Sequence, residues 1–202
     1  MQFAFSILEN RVDENNRVYV EDVKEEVELM SKLVSELLTY SKAGIKTRAI
    51  KLEKIRLLPI IENVLKRKIA HESVKIALEI DENIAVAAQG ELLTRAFANV
   101  VRNAVRYAGN LGLISIKTEK VDERVVVSIS DSGKGVPEAE IEKLFDPFHR
   151  VETDRARQSG GSGLRLAIVK TCIEACGGTV SARNLKPSEF EIIFDLKTAK
   201  DA

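Results

Sequence analysis

The sequence is poor in metal-binding and disulfide-forming side chains. Its 202 residues include only two cysteines, Cys172 and Cys176, and only two histidines, His71 and His149. A structural zinc site needs about four such ligands, and the histidines lie far from the cysteines in sequence, which argues against zinc. Two cysteines four residues apart on one helix have poor geometry for a disulfide. We therefore expect two small buried thiols in a protein of a reducing, cytoplasmic compartment.

Net charge and membrane-spanning runs are also missing. The 31 acidic residues cancel the 31 basic residues, so no general electrostatic attraction draws the chain to nucleic acid or to an anionic membrane, although local basic patches remain possible. No apolar run approaches the ~20 residues of a membrane-spanning helix, and the N-terminus has no signal-peptide pattern. These absences predict a soluble chain that does not bind nucleic acid.

Residues 1–43 carry a helical pattern. Hydrophobic residues make up 45% of the chain, enough core for one sizeable domain or two small ones. Two antiparallel helices enclose little core alone, so we predict a helical hairpin that dimerises into a four-helix bundle. The alternative is a hairpin that packs on its own C-terminal domain. The apolar residues step by three and four, as in an a/d repeat, at Val20, Val23, Val27, Met30, Val34 and Leu37.

Residues 44–202 mix helical and strand patterns, after a short linker that contains Gly44. The elements do not alternate strictly as strand and helix, so we predict a two-layer α/β sandwich with a mixed sheet. The predicted strands are Ile50–Leu52, Val74–Ile80, Ile84–Ala87, Leu113–Lys120, Arg124–Ser130, Thr179–Arg183 and Phe190–Leu196. The predicted helices are Pro59–Ala70, Glu91–Tyr107, Glu138–Leu144 and Gly163–Cys176.

The helix Glu91–Tyr107 is predicted to be buried along most of its length, because apolar residues recur at helical spacing over a wide stripe. Asn99 and Asn103 are four residues apart and therefore share a face. Such a pair usually caps or tethers neighbouring loops. Its amide oxygens are also hard ligands of the kind that Mg²⁺ accepts.

Two glycine-containing segments offer backbone to a ligand. The segment Asp131–Gly135 follows a strong strand, which places a carboxylate at the strand end before glycines that allow a close approach. Alone, this pattern is more often a simple turn. The segment Gly160–Gly163 precedes a helix, so its N–H groups lie at a positive helix end, where proteins bind phosphates.

Taken in order, these segments resemble a known family. N-x-x-x-N-A-x-R-Y at Asn99–Tyr107, D-S-G-K-G-V at Asp131–Val136, F-D-P-F-H-R at Phe145–Arg150 and G-G-S-G-L-R-L-A-I-V at Gly160–Val169 are similar to the N, G1, F and G2 boxes of bacterial two-component sensor histidine kinases. The resemblance covers roughly residues 50–196. It implies the GHKL (Bergerat) ATP-binding fold for residues 44–202 and a dimerisation and histidine-phosphotransfer hairpin for residues 1–43.

The resemblance also implies roles for single residues. Asp131 would accept a hydrogen bond from the adenine amino group, and Tyr107 would lie against the base. Asn103, helped by Asn99, would hold Mg²⁺, while Phe145–Ser162 would form a mobile lid anchored by Phe145 and Phe148. The implied ATP-binding residues are Asn103, Arg106, Tyr107, Asp131, Gly133, Gly135, Val136, Phe148, Arg150, Gly161, Ser162, Gly163 and Leu164.

The sequence departs from the family pattern at three places. It contains no H-E-L-R-T-P-like box with a phosphoacceptor histidine, so we expect the chain to bind ATP without phosphorylating itself, and Met1 to be an internal residue of a longer inner-membrane sensor. Arg165 replaces a family glycine, which would strain the chain if that position needed a positive φ. His149 stands where Tyr is common, and we expect it to be exposed and silent.

Three functions stay open at this point. The first is the ATP-binding cytoplasmic core of a sensor kinase that works with a response regulator. The second is a GHKL ATPase, which Asn99 disfavours because an amide cannot act as the general base that activates water. The third, motivated by Arg165 and the missing histidine, is a non-catalytic nucleotide-binding or dimerisation scaffold.

Overall fold

The computed structural model describes residues 50–69, 73–109, 111–151, 162–185 and 188–199, together with residue 27. The chain divides into two units, Met1–Leu38 and Thr39–Ala202, and every element below belongs to the second. The predicted hairpin of residues 1–43 thus lies, apart from residue 27, outside the described residues, as does its proposed dimer contact. In the described segments, no helix is both long enough and apolar enough to span a membrane.

The second unit contains seven strands, four α-helices and one 3-10 helix in its described part. The strands are β1 (Glu53–Arg56), β2 (Lys75–Glu79), β3 (Ala85–Ala88), β4 (Leu113–Val121), β5 (Arg124–Asp131), β6 (Thr179–Leu185) and β7 (Glu189–Lys197). The α-helices are α1 (Leu57–Ile69), α2 (Gly90–Ala108), α3 (Glu138–Ile141) and α4 (Arg165–Ala175), and the 3-10 helix is Glu142–Phe145.

Five strands form one mixed sheet in the order β2-β4-β5-β7-β6. The β2–β4 pair is parallel and the other three pairs are antiparallel. A two-residue turn links β4 to β5, and its first residue, Asp122, has a φ of 53°. Strands β1 and β3 form a separate antiparallel pair. The predicted mixed sheet is confirmed.

The core lies between the five-stranded sheet and helices α1, α2 and α4. On β5, Val125, Val127 and Ile129 are buried while their neighbours are half-buried, which is the predicted alternation. Phe97 of α2 and Phe194 of β7 meet edge to face, with ring centroids 5.4 Å apart. The sandwich is therefore two layers held by contacts between helix and sheet.

The two cysteines lie in this core as free thiols. Both are buried completely. Burial raises the pKa of Cys172 to about 11, against an opposing effect of the Arg95 charge, and burial also raises the pKa of Cys176. The prediction of small buried side chains without a disulfide is confirmed.

Several predicted boundaries were wrong, including those of the first strand and of two helices. The first strand is Glu53–Arg56 rather than Ile50–Leu52, because only those four residues pair with β3. The predicted helix Glu138–Leu144 is a four-residue α-helix that tightens into a 3-10 helix ending at Phe145. Helix α4 begins at Arg165, because Gly163 has a left-handed backbone with a φ of 73°.

Candidate functional site

Helix α2 carries Asn99 and Asn103 along the edge of its buried face. Gln89 caps the helix, since its side-chain oxygen accepts from the Leu92 N–H at 3.0 Å. Both asparagines are half-buried. The Asn99 amide nitrogen donates to the Arg95 carbonyl at 2.9 Å. Because that nitrogen is engaged, Oδ1 is the Asn99 atom whose chemistry suits a metal ion, and the pair offers Mg²⁺ two oxygens on one helix face.

Asp131 ends β5 and carries a buried carboxylate. Its exposed fraction is 5%, and its Oδ1 accepts from the Gly133 N–H at 2.9 Å. Burial raises the pKa of Asp131 to about 6, against the Gly133 hydrogen bond, while the nearby Glu189 charge raises it further. A buried carboxyl with a raised pKa and a fixed position, such as that of Asp131, is a good candidate for ligand recognition.

The loop after Asp131 approaches the end of α2 closely. A Cβ atom on Gly133 would lie 2.6 Å from Asp131 Oδ1 and 2.9 Å from the Tyr107 carbonyl oxygen, so only glycine fits between them. Ser132 ties the loop to β4, since the Leu113 N–H donates to Ser132 Oγ at 2.9 Å. The structure therefore brings together Tyr107, Asp131 and Gly133, three residues that the resemblance assigns to ATP binding.

Tyr107 and Arg106 lie side by side at the end of α2. The tyrosine is 54% exposed, and the Arg106 guanidinium carbon is 5.5 Å from the centroid of its ring. This is cation–π distance. An exposed aromatic face next to a cation suits a flat, anionic ligand such as a nucleotide.

Asn184 on β6 contacts the glycine loop and was missed by sequence reasoning. Its Oδ1 accepts from the Val136 N–H at 3.0 Å, and its Nδ2 donates to the Val136 carbonyl at 2.7 Å and to Glu138 Oε1 at 2.9 Å. The predicted strand Thr179–Arg183 ended one residue before Asn184, whereas β6 extends to Leu185, so the sequence pattern gave no signal for this residue. The loop is thus held from a strand far from it in sequence.

The segment before α4 packs on the start of the predicted lid. A Cβ atom on Gly163 would lie 2.6 Å from the His149 carbonyl oxygen. The Leu164 N–H donates to Ser162 Oγ at 3.2 Å, and the Leu164 side chain is buried. Gly161, which the resemblance also placed here, lies among residues 152–161, outside the described ranges.

Two expectations for the start of the predicted lid were wrong. Phe145 is buried, with an exposed fraction of 8%, but Phe148 is 63% exposed and does not anchor the segment. The backbone of Phe148 is left-handed, with a φ of 66°, and packs against Gly163 instead of its ring entering the core. His149 is not exposed as expected, because its side chain is 22% exposed and its Nε2 lies 2.8 Å from Glu140 Oε2.

Arg165 occupies an ordinary helical position as the first residue of α4. Among the residues that the structure describes, the non-glycine positions with positive φ are Leu111, Asp122 and Phe148. Arg165 is therefore not strained by replacing a glycine. Arg150, the residue after His149, is exposed.

Five strands of mixed direction with helices on one face form the α/β sandwich of the GHKL (Bergerat) ATP-binding class. The sequence model of histidine kinase-, DNA gyrase B-, and HSP90-like ATPases matches residues 88–200, more than half of the chain, and the chain belongs to this family. Within the family its similarity is to sensor histidine kinases, which confirms the resemblance drawn from the four boxes.

One relative and one solved structure illustrate that similarity. Signal transduction histidine-protein kinase BaeS of Escherichia coli K12 is 29% identical over 185 residues, which cover 90% of this chain and 40% of BaeS. The catalytic domain of histidine kinase ThkA is 27% identical with a TM-score of 0.64, over 75% of this chain and 100% of that domain. The chain spans less than half the length of the curated relatives it matches.

Two further structures show the same fold at lower identity. Full-length ShkA in complex with AMPPNP has a TM-score of 0.75 at 24% identity, covering 98% of this chain and 42% of ShkA. ThkA in complex with the response regulator protein TrrA has a TM-score of 0.68 at 23% identity, covering 98% of this chain and 56% of that one.

Proposed function

We propose that this chain is the ATP-binding catalytic core of a sensor histidine kinase. In the complete system, the γ-phosphoryl group of ATP would pass to a histidine and then to an aspartate of a response regulator. The observation that carries the proposal is the buried Asp131 carboxylate, held by the Gly133 N–H at the end of β5 within the family's domain. ShkA, which has the same fold, was solved with the ATP analogue AMPPNP.

The adenine base is proposed to bind between Tyr107 and the loop that follows Asp131. The Asp131 carboxylate would accept a hydrogen bond from the adenine amino group, and the absence of side chains at Gly133 and Gly135 would leave room for the ring. The exposed ring of Tyr107 would stack on the base. Val136 would complete this side of the site.

The phosphates are proposed to bind between α2 and the start of α4. Asn103, with help from Asn99, would hold Mg²⁺, which would neutralise phosphate charge during transfer. Arg106 would face the phosphates. Contacts to the phosphates or to the nucleotide edge are further proposed for Phe148, Arg150, Gly161, Ser162, Gly163 and Leu164.

The site positions a nucleotide but supplies no nucleophile of its own. Asn99 stands where the hydrolysing branch of the family has a glutamate, and an amide cannot take a proton from water at neutral pH. The two histidines of the 202 residues, His71 and His149, lie outside any H-E-L-R-T-P-like box. We therefore propose that these 202 residues do not phosphorylate themselves, and that catalysis rests on positioning and charge.

Residues 1–43 and 44–202 are proposed to be separate domains. The first would be a helical hairpin that forms a homodimer, and the second the ATP-binding domain. A response regulator is the proposed protein partner, as ThkA was solved with TrrA, and a cytoplasmic position below an inner-membrane sensor is the proposed location. Nucleic acid is not a proposed partner.

The test supplies the missing nucleophile. This chain, radiolabelled ATP and Mg²⁺ are mixed with a separate bundle fragment that carries an H-box histidine, and label is followed on both chains. We expect label on the fragment, none on this chain, and loss of transfer with Asp131→Asn. ATP binding without transfer would favour a nucleotide-binding scaffold.

Two further results would contradict the proposal. Absence of ATP or ADP binding in calorimetry at millimolar nucleotide would remove the nucleotide site altogether. Steady Mg²⁺-dependent ATP hydrolysis, abolished by Asn99→Ala, would assign the chain to the ATPase branch instead.

A further inference from the structure

We infer that Asn184 is a positioning residue that fixes the base-binding loop of residues 132–136 for nucleotide. The inference rests on the proposed function, because it concerns the same site. Asn184 is neither in a family box of the sequence analysis nor adjacent to one, and it reaches the site only through the register of the sheet.

The strand register sets Asn184 and Asp131 in one row. Asp131 on β5 pairs with Phe190 on β7, and Phe190 pairs with Asn184 on β6. Residues paired across neighbouring strands point to the same face of a sheet. The two polar side chains therefore stand on the helix-covered face, two strands apart, which is about 10 Å at the usual strand spacing.

The loop spans this distance and is held at both ends. At its first end, Gly133 N–H donates to Asp131. At its second end, the Asn184 side-chain amide pairs with both the N–H and the carbonyl of Val136, at 3.0 and 2.7 Å. An amide that donates to and accepts from one residue fixes both its position and its orientation.

Gly135 shows how closely Asn184 fits the loop. Gly135 has a φ of 72°, and a Cβ atom there would collide with Asn184 Oδ1. The asparagine amide thus occupies the space that a side chain at Gly135 would need. The left-handed turn and the asparagine fit each other as one unit.

Asn184 also joins the loop to the helix that follows it. Its Nδ2 donates to Glu138 Oε1 at 2.9 Å, and Glu138 is the first residue of α3. Loss of this amide would free the loop at one end while the Asp131–Gly133 bond remained. A loop that must then be ordered by the ligand costs binding free energy.

The test compares nucleotides in variants of one strand. Calorimetry with Mg²⁺ measures the affinities for ADP and for GDP in wild type, Asn184→Ala and the control Ser181→Ala, which changes an exposed residue of β6. We expect Asn184→Ala to lower ADP affinity about tenfold with little change for GDP, so that base discrimination falls. Ser181→Ala should bind both nucleotides as wild type does.

Two charge-changing substitutions distinguish a positioning role of Asn184 from an effect on folding. Asn184→Asp keeps an acceptor for the Val136 N–H but puts a carboxylate against the Val136 carbonyl and Glu138, so ADP affinity should fall further than in Asn184→Ala. Adding Glu138→Gln gives the new carboxylate a donor and should restore part of the ADP preference. Thermal unfolding of each ligand-free variant identifies any that fails to fold.

The outcomes are distinct for the two proposals. Wild type that binds no ADP would overturn the proposed function and, with it, this inference. Wild type that binds ADP, with Asn184→Ala binding equally well, would overturn only the role of Asn184. Equal losses of ADP and GDP affinity in a folded Asn184→Ala would also overturn it, because they would indicate a general effect on the fold.

Discussion

The two ends of the proposed nucleotide site are built differently. We call the adenine end the set Tyr107, Asp131, Gly133 and Asn184, and the phosphate end the set Asn99, Asn103, Ser162 and Gly163. The adenine end rests on three paired strands and a row of hydrogen bonds to loop backbone. The phosphate end combines one helix face with a short segment that touches the lid start through the Gly163 backbone.

The difference between the adenine end and the phosphate end indicates which part of the proposed site is already fixed without a ligand. A buried carboxylate on a central strand cannot move without disturbing the sheet, so the base-recognition geometry is already set. At the phosphate end, the helix places Asn99 and Asn103 on one face, whereas the described part of the loop side approaches the lid start at the backbone of His149. Changes at the adenine end should therefore affect binding most.

The largest expected effect comes from Asp131→Asn. The change should lower ATP affinity by roughly 100-fold, about 3 kcal/mol, because it removes a charged acceptor for the adenine amino group. The free energy of unfolding of the ligand-free protein at neutral pH should not fall, since a buried charge is removed. Calorimetry and urea unfolding measure both. Asp81→Asn, at an exposed carboxyl, is the control, and an affinity within threefold of wild type would contradict the prediction.

Gly163→Ala is the matching change at the phosphate end, with Gly177→Ala as its control. Both glycines are left-handed, with φ of 73° and 71°, but a Cβ on Gly163 meets the His149 carbonyl while a Cβ on Gly177 meets nothing within 4 Å. Gly177→Ala should lower the free energy of unfolding by about 1 kcal/mol from backbone strain alone. Gly163→Ala should cost about 2 kcal/mol more in urea unfolding. Equal losses would mean that the close approach adds nothing.

The third prediction uses the pKa of Asp131, which burial raises to about 6. The proposed hydrogen bond needs the ionised carboxylate, so ATP affinity should fall about tenfold between about pH 7 and about pH 5. The ratio of wild-type to Asp131→Asn affinity removes the titration of ATP itself. Glu189→Gln should move the fall to lower pH, because the Glu189 charge helps to raise this pKa. A ratio that does not change with pH would refute the assignment.

The Asp131 carboxyl should make the protein more stable at low pH, although ATP binding weakens there. The folded state holds the Asp131 proton more tightly than the unfolded state, whose pKa is near the ordinary value of 3.8. Its contribution to the free energy of unfolding is therefore complete below that value and is lost as pH rises through about 6. The loss is at most about 3 kcal/mol. Urea unfolding of wild type relative to Asp131→Asn at several pH values measures it.

The smallest expected effect is that of the proposed Mg²⁺ ligands, Asn99 and Asn103. Asn103→Ala should lower ATP affinity several-fold in Mg²⁺ and leave it unchanged in EDTA, because only the metal contact is removed. Asn99→Ala should do the same more weakly. Losses of equal size with and without Mg²⁺ would assign the asparagines to direct nucleotide contacts.

The fold and the adenine end were predictable where local sequence decides the structure. The alternation of β5 predicted its buried face, and the spacing of Asn99 and Asn103 predicted that they share one helix face. A strand end followed by glycines is by itself more often a turn, so Asp131 became a candidate only through the order of the four boxes that resemble the family. The first two features depend on residues within about two turns or one strand of each other.

The remaining features depend on partners far away in sequence. Asn184 meets Val136 only through the register of three strands, and no local pattern encodes that register. The resemblance implied that Phe148 anchors the lid, but the left-handed turn at Phe148 against Gly163 leaves its ring 63% exposed. His149 gained a partner because the short helix α3 places Glu140 beside it.

The buried cysteines have a practical consequence for labelling. Only the thiolate reacts with maleimides, and burial keeps Cys172, with a pKa of about 11, and Cys176 protonated and covered at neutral pH. A single cysteine introduced on the exposed outer surface, for example Ser181→Cys, should therefore accept a fluorophore while both natural thiols stay intact. The wild-type background is already suited to single-site spectroscopy of nucleotide binding.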